Sequence, residues 1–323
     1  VSGTGAKNFL NQLLTNDVGK LFPGQGQYTI MCNETGGAVD DLYIYRTEAH
    51  EYLMVINASR IDEDMAWMQS QFEVFPDRAS LELKNLSNEM AAVAIQGPNS
   101  GPLLDQLFPG PSITETRVDR PSDLKKNELG TFLFGTDEVW VSRTGYTGED
   151  GFEVIAPHDA IVPFWEKSLA FGTAFGLEPI GLGARDTLRT EMCYPLYGHE
   201  LDENTSPIEA GIGFFVALDK GEFNGRSVMA KLKEEGPARK LIAFKMTGKS
   251  PPPRPHYPIY AGGEKIGETT SGTLSPSLNT GIGLGFVPPE HAQADTAIEI
   301  EIRNRRFPAV VVRKPIYKKP TGR

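Results

Sequence analysis

The hydrophobic pattern of the chain changes near residue 237, and this change constrains the fold more than any other feature of the sequence. Before it, strand-like alternation is mixed with helical periodicity. After it, short strand-like runs are separated by Gly- and Pro-rich turns, and helical character is limited to one turn near Pro289. Hairpins mixed with crossover helices are typical of α+β sheets, whereas many short strands are typical of a small barrel. We therefore predict two regions, residues 1–236 and an all-β barrel at residues 237–323.

The first region is predicted to begin with a hairpin, which a third strand and a helix follow. The turn sequence at residues 33–37, Asn-Glu-Thr-Gly-Gly, separates strands at 28–32 and 38–45. Ser59 and Asp62, three positions apart, predict a capping box in front of the helix. The remaining elements are expected at 52–56, 92–96, 131–134 and 139–143 for strands, at 159–171, 183–192 and 223–236 for helices, and at 241–246, 282–287, 297–302 and 309–312 for strands of the barrel.

The composition argues against several classes of function. Lys and Arg total 32 against 42 for Asp and Glu, a net charge of −10, whereas a nucleic-acid surface needs a basic stripe. No apolar run approaches the roughly 18 residues that a membrane-spanning helix needs. The five histidines lack metal-ligand spacing, and the glycine clusters at 3–5 and 281–285 lack the strand–loop–helix context of a dinucleotide site. We therefore expect no metal, flavin or NAD, no nucleic acid and no membrane.

Two adjacent acids, Asp40 and Asp41, follow the glycine turn on the returning strand. Neighbouring residues on a strand point to opposite faces, so these two side chains cannot act as paired carboxylates. Asp41 shares its face with Tyr43 and Tyr45, and an acid among aromatic rings suits a flat heterocycle whose ring nitrogens need an acceptor. The alternative is that either aspartate completes the turn or lies in solvent.

A glycine-rich loop at residues 143–153 reads Arg-Thr-Gly-Tyr-Thr-Gly-Glu-Asp-Gly-Phe-Glu. Its three glycines predict a tight loop where the backbone closely approaches another group. Glu153 lies where the strand resumes, and a carboxylate there can accept two parallel N–H donors, as an aminopyrimidine ring offers them. The alternative is an exposed strand glutamate.

Arg185 follows the sequence Gly-Leu-Gly-Ala and lies in the first turn of a predicted helix, on the same face as Arg189. The free backbone N–H groups of a first turn favour anions, and a cation there is mildly unfavourable to the helix. This placement indicates a specific partner for Arg185. The alternative is a surface ion pair with a nearby acid.

In chain order, these segments resemble the T-protein (aminomethyltransferase) family of the glycine cleavage system, over essentially the whole chain. The motifs that carry the resemblance are LLTNDV (13–18), PGQGQYT (23–29), GGAVDDLYIY (36–45), VINAS (55–59), QGP (96–98), RTGYTGEDGFE (143–153), GLGARDTLRTEM (181–192), LYGHEL (196–201), SPIEAGIGF (206–214) and TSGTLSPSLNTGIGLGFV (270–287).

The resemblance implies an α+β fold, with ferredoxin-like folate-binding domains in a cloverleaf and a C-terminal β-barrel. It implies that Asp41, the second acid of the motif GGAVDD, is the catalytic carboxylate near the folate amine nitrogens. Glu153 and Arg185 would bind the pterin and the substrate. The further residues that it implies for the folate site are Asn57, Tyr146, Arg254 and Tyr317.

The resemblance also implies a reaction. The one-carbon unit of an aminomethyl-dihydrolipoyl arm, carried by the lipoylated H-protein, passes to the co-substrate tetrahydrofolate. Ammonia is released and 5,10-methylenetetrahydrofolate forms. We expect a monomer in the cytoplasm of a bacterium or in the mitochondrial matrix of a eukaryote, with Cys32 and Cys193 as buried thiols in a reducing compartment.

Two alternatives stay open. One is another folate-dependent demethylase of this fold, with sarcosine, dimethylglycine or a sulfonium as substrate, although no flavin-binding region precedes the domain. The other is a non-catalytic folate-binding protein of iron–sulfur maintenance, although Cys193 lies in MCYPLYGHEL and not in a KGCYxGQE-like motif. The family's N-terminal FxGWxxP and FDVSHMG-like segments are missing, so we expect a fragment whose first ferredoxin-like unit lacks a strand and a helix.

Overall fold

The computed structural model describes residues 1–114 and 117–319. The chain divides into two units. Unit 1 comprises Val1–Met31, Asp40–Ile180 and Asp219–Phe223, and unit 2 comprises Cys32–Val39, Gly181–Leu218 and Asn224–Arg323. Within the described residues, no helix is both long enough and apolar enough to cross a membrane.

Unit 1 holds, wholly or for most of their length, the elements of two sheets. The strand orders are β1-β2-β3 in the first sheet and β4-β7-β6-β5 in the second. The mixed α+β class predicted for this region is thereby confirmed. The elements are α1 (Ala6–Leu13), β1 (Gln25–Cys32), β2 (Ala38–Glu48), β3 (Glu51–Val55), α2 (Ile61–Val74), β4 (Met90–Gln96), α3 (Ser100–Leu107), β5 (Leu129–Phe134), β6 (Asp137–Ser142), β7 (Gly151–Pro157) and α4 (His158–Gly172).

The four-stranded sheet packs one apolar face against α3 and α4. Phe132 of β5 and Phe152 of β7 are fully buried there, and Phe164 of α4 stacks against Phe108 with ring centroids 5.7 Å apart. Each such ring contributes about 1.5–3 kcal/mol by leaving water. This core holds β6 and β7 in place. The glycine-rich loop runs from the end of β6 to the start of β7.

The predicted capping box at the start of α2 is wrong. The chain enters the helix through a short 3₁₀ turn at Ala58–Arg60, so the N-cap residue is Arg60 and no side chain caps the helix. Because the extra turn moves the start of the helix beyond Ser59, the hydroxyl of Ser59 is no longer at the N-cap position.

Unit 2 contains a closed six-stranded barrel with the order β10-β11-β8-β13-β12-β9, which confirms the predicted C-terminal barrel. Its interior is lined by apolar side chains such as Phe244, Ile259, Ile300 and Val311. The elements of the unit are α5 (Leu182–Glu191), α6 (Arg226–Glu235), β8 (Lys240–Met246), β9 (Pro258–Ala261), β10 (Glu264–Ser275), β11 (Thr280–Val287), β12 (Ala297–Ile302) and β13 (Arg305–Val312).

Strands β9 and β10 are present although the sequence pattern did not predict them. β9 is only four residues long, and β10 is polar along most of its length. The buried positions of β10 include the hydroxyl residues Thr269, Ser271 and Ser275, in place of the apolar residues that strand patterns rely on. Gly267 interrupts the alternation further, because a Cβ there would lie 1.9 Å from the carbonyl oxygen of Phe286.

Candidate active site

Asn33 builds the hairpin turn that precedes the two aspartates. Its Oδ1 accepts hydrogen bonds from the backbone N–H of Thr35 (3.1 Å), the hydroxyl of Thr35 (2.7 Å) and the backbone N–H of Gly37 (3.0 Å). Gly36 has a φ of +84°, and a Cβ on Gly37 would lie 1.8 Å from the carbonyl oxygen of Glu203. Both positions therefore require glycine, and the turn fixes where β2 begins.

Asp40 and Asp41 have different surroundings, as the alternation of a strand requires. Asp40 is fully buried, whereas Asp41 is partly exposed. Asp40 accepts the backbone N–H of Asn57 on Oδ2 (3.1 Å) and its side-chain Nδ2–H on Oδ1 (2.7 Å). The buried acid therefore holds Asn57, and the accessible carboxylate is that of Asp41.

Asp41 is held by two donors. The Tyr28 hydroxyl donates to its Oδ2 at 2.9 Å, and Asn57 Nδ2 donates to its carbonyl oxygen at 3.1 Å and lies 3.4 Å from its Oδ1. Burial raises the pKa of Asp41 to about 7, the nearby charge of Asp40 adds to the rise, and the bonds from Tyr28 and Asn57 oppose it. A carboxyl with a pKa near neutral pH can accept a proton in a reaction and release it afterwards.

Three tyrosines form an aromatic surface beside Asp41. The rings of Tyr28 and Tyr43 meet edge-on with centroids 6.2 Å apart, and those of Tyr43 and Tyr45 stack at 5.6 Å. Burial raises the pKa of the Tyr28 phenol, and the neighbouring Asp41 and Tyr146 raise it further. Tyr28 therefore remains a hydrogen-bond donor. Its interaction with Tyr146 also shows that this predicted site residue lies close to the aromatic surface.

Glu153, in the middle of β7, belongs to a network of hydroxyl groups. The Thr144 hydroxyl donates to Glu153 Oε2 at 2.7 Å and also lies 3.0 Å from the Tyr45 hydroxyl and 2.7 Å from that of Ser142. Because the only hydroxyl proton of Thr144 goes to Glu153, Tyr45 and Ser142 are the donors to Thr144. Burial raises the pKa of Tyr45, and the charge of Glu153 raises it further, which keeps this donor protonated.

Gln96 holds the glycine-rich loop in place. Its Nε2 donates to the carbonyl oxygens of Thr144 (3.0 Å) and Phe152 (3.2 Å), and its Oε1 accepts the hydroxyl of Thr147 (3.1 Å). A Cβ on Gly145 would lie 1.9 Å from the Gln96 side chain. The loop glycines, predicted to allow a close approach, therefore leave room for the side chain of Gln96. In the sequence, Gln96 stands out only as part of the motif QGP.

Hydrogen bonds connect Asp41 to Asn57 and Tyr28 in unit 1. Through Thr144, Glu153 is connected to Tyr45 of the same aromatic surface. Two carboxylates and an aromatic surface can bind a flat ring that carries several N–H groups. Within the described residues, no cluster of three His, Cys, Asp or Glu side chains could hold a metal ion.

The other three predicted site residues lie in unit 2. Arg185 is exposed near the start of α5, as expected for a first-turn position. Arg254 is also exposed, and its carbonyl oxygen accepts the Thr269 hydroxyl at 2.7 Å. Tyr317 is partly buried, and its backbone N–H donates to the carbonyl oxygen of Glu191 at 3.0 Å. Each of the three side chains is partly or fully accessible to solvent.

Arg189, predicted to share a helix face with Arg185, lies in the same helix but is fully buried. It pairs with Asp186 at 2.6 Å and Glu200 at 2.8 Å, and it donates to the Ser271 hydroxyl at 2.8 Å. The last residues of α5, from Arg189 to Glu191, are buried, whereas the residues of its first turn are exposed. Arg189 is therefore part of the core of unit 2.

Two family models and several known proteins match nearly the whole chain. The model of the GCVT N-terminal domain matches residues 1–220, and that of the glycine cleavage T-protein C-terminal barrel domain matches residues 239–318. An aminomethyltransferase of Caldanaerobacter subterraneus subsp. tengcongensis is 43% identical over 325 residues, which cover 99% of this chain and 82% of that protein. An aminomethyltransferase of Bacillus cytotoxicus is 46% identical over 326 residues, which cover 99% and 84%.

A solved structure is similar over nearly the same extent. The crystal structure of glycine cleavage system aminomethyltransferase T from Bartonella henselae matches with a TM-score of 0.86 and 27% sequence identity. The match covers 98% of this chain and 82% of that one.

Proposed function

Because the chain belongs to the glycine cleavage T-protein family, we propose that it is the aminomethyltransferase of a glycine cleavage system. In this proposal its substrates are tetrahydrofolate and an aminomethyl group carried on the dihydrolipoyl arm of the H-protein. Its products are 5,10-methylenetetrahydrofolate, ammonia and the free dihydrolipoyl arm. Folate binding is assigned to the region 1–236, with the barrel at 237–323 as a separate region.

The observation that carries the proposal is the placement of Asp41. Its carboxylate is partly exposed, oriented by Tyr28 and Asn57, and lies beside the stacked rings of Tyr43 and Tyr45. The pKa of about 7 makes this carboxyl suitable both for holding an amine and for taking up its proton. A folate amine that needs an acceptor fits these properties.

The proposed reaction begins when the carbon–sulfur bond of the aminomethyl thioether breaks and the dihydrolipoyl thiolate leaves. The remaining iminium carbon bonds to a folate amine nitrogen, which then loses its proton. The ionised carboxylate of Asp41 stabilises the positive charge on the amine and accepts that proton. The proton held by Asp41 then passes to the amino group, which leaves as ammonia when the second folate nitrogen closes the methylene bridge. The proton of that second nitrogen goes to the dihydrolipoyl thiolate.

The other predicted residues receive roles around the folate. Glu153, oriented by Thr144, accepts N–H donors of the pterin ring. Asn57 and Tyr146 complete the surroundings of Asp41. Arg185, Arg254 and Tyr317 are proposed to bind the folate or the aminomethyl substrate.

The test is the activity of Asp41→Asn and Asp41→Ala in ammonia release from aminomethylated H-protein with tetrahydrofolate. We expect the turnover number to fall by about 10²–10³, the range for removing one electrostatic group from a transition state. Binding of tetrahydrofolate, measured by calorimetry, is expected to be largely retained, because the rest of the surface is unchanged.

Asp137→Asn is the matched control, since Asp137 is an exposed acid at the start of β6 in the same unit. It is expected to have normal activity. Full activity of Asp41→Asn, in a protein that binds tetrahydrofolate normally, would contradict the assignment.

Cys193 bears on the iron–sulfur alternative, whose motif contains a cysteine at this place. Cys193 is buried, and burial raises the pKa of its thiol to about 11. A thiol that stays protonated at neutral pH is a poor nucleophile and a poor metal ligand. This observation favours the aminomethyltransferase.

A further inference from the structure

Asp64, a residue of α2 outside the sequence motifs, contacts Asp40, the buried neighbour of the proposed catalytic residue Asp41. Its side chain is fully buried, and neither carboxyl oxygen receives an N–H or O–H donor from the residues that the structure describes. An ionised carboxylate in such a place loses its hydration and gains nothing in return, which is among the costliest arrangements in a protein interior.

The neighbours of Asp64 explain how this cost is avoided. The charged groups around it are Asp40 from β2, Arg60 from the preceding turn and Glu63 from its own helix. Burial and, after it, the contact with Asp40 raise the pKa of Asp64 to about 9, while Arg60 lowers it by less. The guanidinium of Arg60 lies 3.5 Å from Glu63, so its charge is shared.

Asp40 links Asp64 to Asn57. Both oxygens of Asp40 accept hydrogen bonds from Asn57, one from the backbone and one from the side chain. The same Asn57 side chain donates to the carbonyl oxygen of Asp41. Asp40 uses both oxygens to accept these bonds, so its carboxyl group is fixed in rotation, and a proton donor on its other side would strengthen that arrangement.

We propose that Asp64 is a positioning residue that remains protonated and donates its carboxyl proton to Asp40, which thereby holds Asn57 and, through it, Asp41. The buried acid pair carries one negative charge instead of two. This role rests on the proposed function of Asp41, but the protonation of Asp64 does not.

Two variants of Asp64 test the role. Asp64→Asn replaces the acid with a neutral group of the same shape whose N–H can still donate to Asp40. Asp64→Leu has a similar volume and no donor. We expect Asp64→Asn to keep the turnover number within about threefold, and Asp64→Leu to lower it by about tenfold to a hundredfold at nearly unchanged KM for tetrahydrofolate.

The pH profile separates positioning from a purely structural role. In the natural protein, the turnover number is expected to fall on the alkaline side as Asp64 ionises with a pKa of about 9 beside Asp40. Asp64→Asn should lack this alkaline decline. If Asp64→Asn is as impaired as Asp64→Leu, or if its alkaline decline equals that of the natural protein, the proposal is overturned.

Infrared spectroscopy supplies a readout that needs no activity. At pH 8, where Asp41 is mostly ionised, the natural protein should still show the C=O stretch of a protonated carboxylic acid, and Asp64→Asn should have lost that band while Asp137→Asn keeps it. Absence of a band that depends on Asp64 overturns the proposal even if Asp41 is catalytic. Conversely, full activity of Asp41→Asn with the band present would overturn only the function of Asp41.

Discussion

Both units contain buried carboxyl groups, but the hydrogen-bond donors around these groups differ. In unit 2, Glu200 accepts hydrogen bonds from Arg189 (2.8 Å), the backbone N–H of Leu196 (3.0 Å), and the hydroxyls of Thr270 and Ser271. In unit 1, Asp64 receives no donor from the described residues, and its close partner is another acid, Asp40.

The buried carboxylate of Glu200 has a structural role in unit 2, whereas the buried acids of unit 1 belong to the proposed active site and its support. All lone pairs of Glu200 are used and its charge is paired with that of Arg189, and these bonds join α5 to the barrel of unit 2. In unit 1, burial raises the pKa of Asp41 to about 7, and burial together with the contact with Asp40 raises that of Asp64 to about 9. Shifted carboxyls of this kind are typical of active sites.

The largest expected effect comes from breaking the neutralised pair of unit 2. Arg189→Leu would leave Glu200 buried without its cation, which costs about 3–5 kcal/mol of unfolding free energy. Urea unfolding followed by circular dichroism measures the loss. Arg120→Leu serves as the control, because the Arg120–Asp123 pair (3.1 Å) is exposed and is expected to contribute little. Equal stability of Arg189→Leu and the natural protein would contradict the comparison.

For the pair of Asp40 and Asp64 in unit 1, we expect that removing one acid raises the free energy of unfolding. Folded Asp64 keeps its proton up to pH about 9, whereas the unfolded chain loses it near its ordinary value of about 3.9. The folded state therefore binds more protons between these values, and its stability falls as pH rises through this window.

Asp64→Asn removes this dependence, so its gain in stability over the natural protein should grow from pH 5 to pH 8. The gain is expected to grow by up to about 1.4 kcal/mol for each pH unit in this range. Thermal unfolding of both proteins at the two pH values measures it. A gain that is the same at pH 5 and pH 8 would mean that Asp64 does not take up a proton on folding.

Tyr28→Phe is expected to move the pH dependence of activity. The Tyr28 hydroxyl lowers the pKa of Asp41, so its removal raises that pKa above about 7, by about one unit for the loss of one bond to a charged group. The acid side of the rate profile should shift to higher pH by the same amount. Tyr43→Phe is the matched control, because that hydroxyl bonds to Asn127 at 3.0 Å. A shift in the control variant alone would refute the role of Tyr28.

Thr144→Val has the smallest expected effect. It removes the hydroxyl that donates to Glu153 at 2.7 Å, and the dissociation constant for tetrahydrofolate should rise about fivefold, as for one neutral hydrogen bond. Thr144→Ser retains the hydroxyl and should bind normally. Calorimetry at constant salt distinguishes the two, and equally weakened binding of both variants would point to packing instead of the hydroxyl.

The strand alternation around Asp40 and Asp41 was predictable, because it depends only on the period of a strand. The position of Glu153 at the end of the glycine-rich loop was predictable for the same reason. Most elements of unit 1 were also found from periodicity, whereas β10 was missed because its buried side chains are hydroxyls.

The supporting residues of the site were not predictable. Asp64 lies among three successive acids at the start of a helix, where acids are favoured by the helix dipole and are usually exposed. Of the three, Asp64 is buried beside Asp40 of β2, a contact that the sequence pattern does not reveal. Tyr28, Gln96 and Thr144 likewise act through partners that are 13, 48 and 9 positions away in the sequence.

The pH dependence of ammonia release, measured at saturating tetrahydrofolate and H-protein, tests the role of Asp41 most directly. With Asp41 as the ionised group that holds the amine, the turnover number should fall as pH is lowered through about 7, and the residual activity of Asp41→Asn should lack this acid limb. An acid limb that persists unchanged in Asp41→Asn would show that another group controls the transfer.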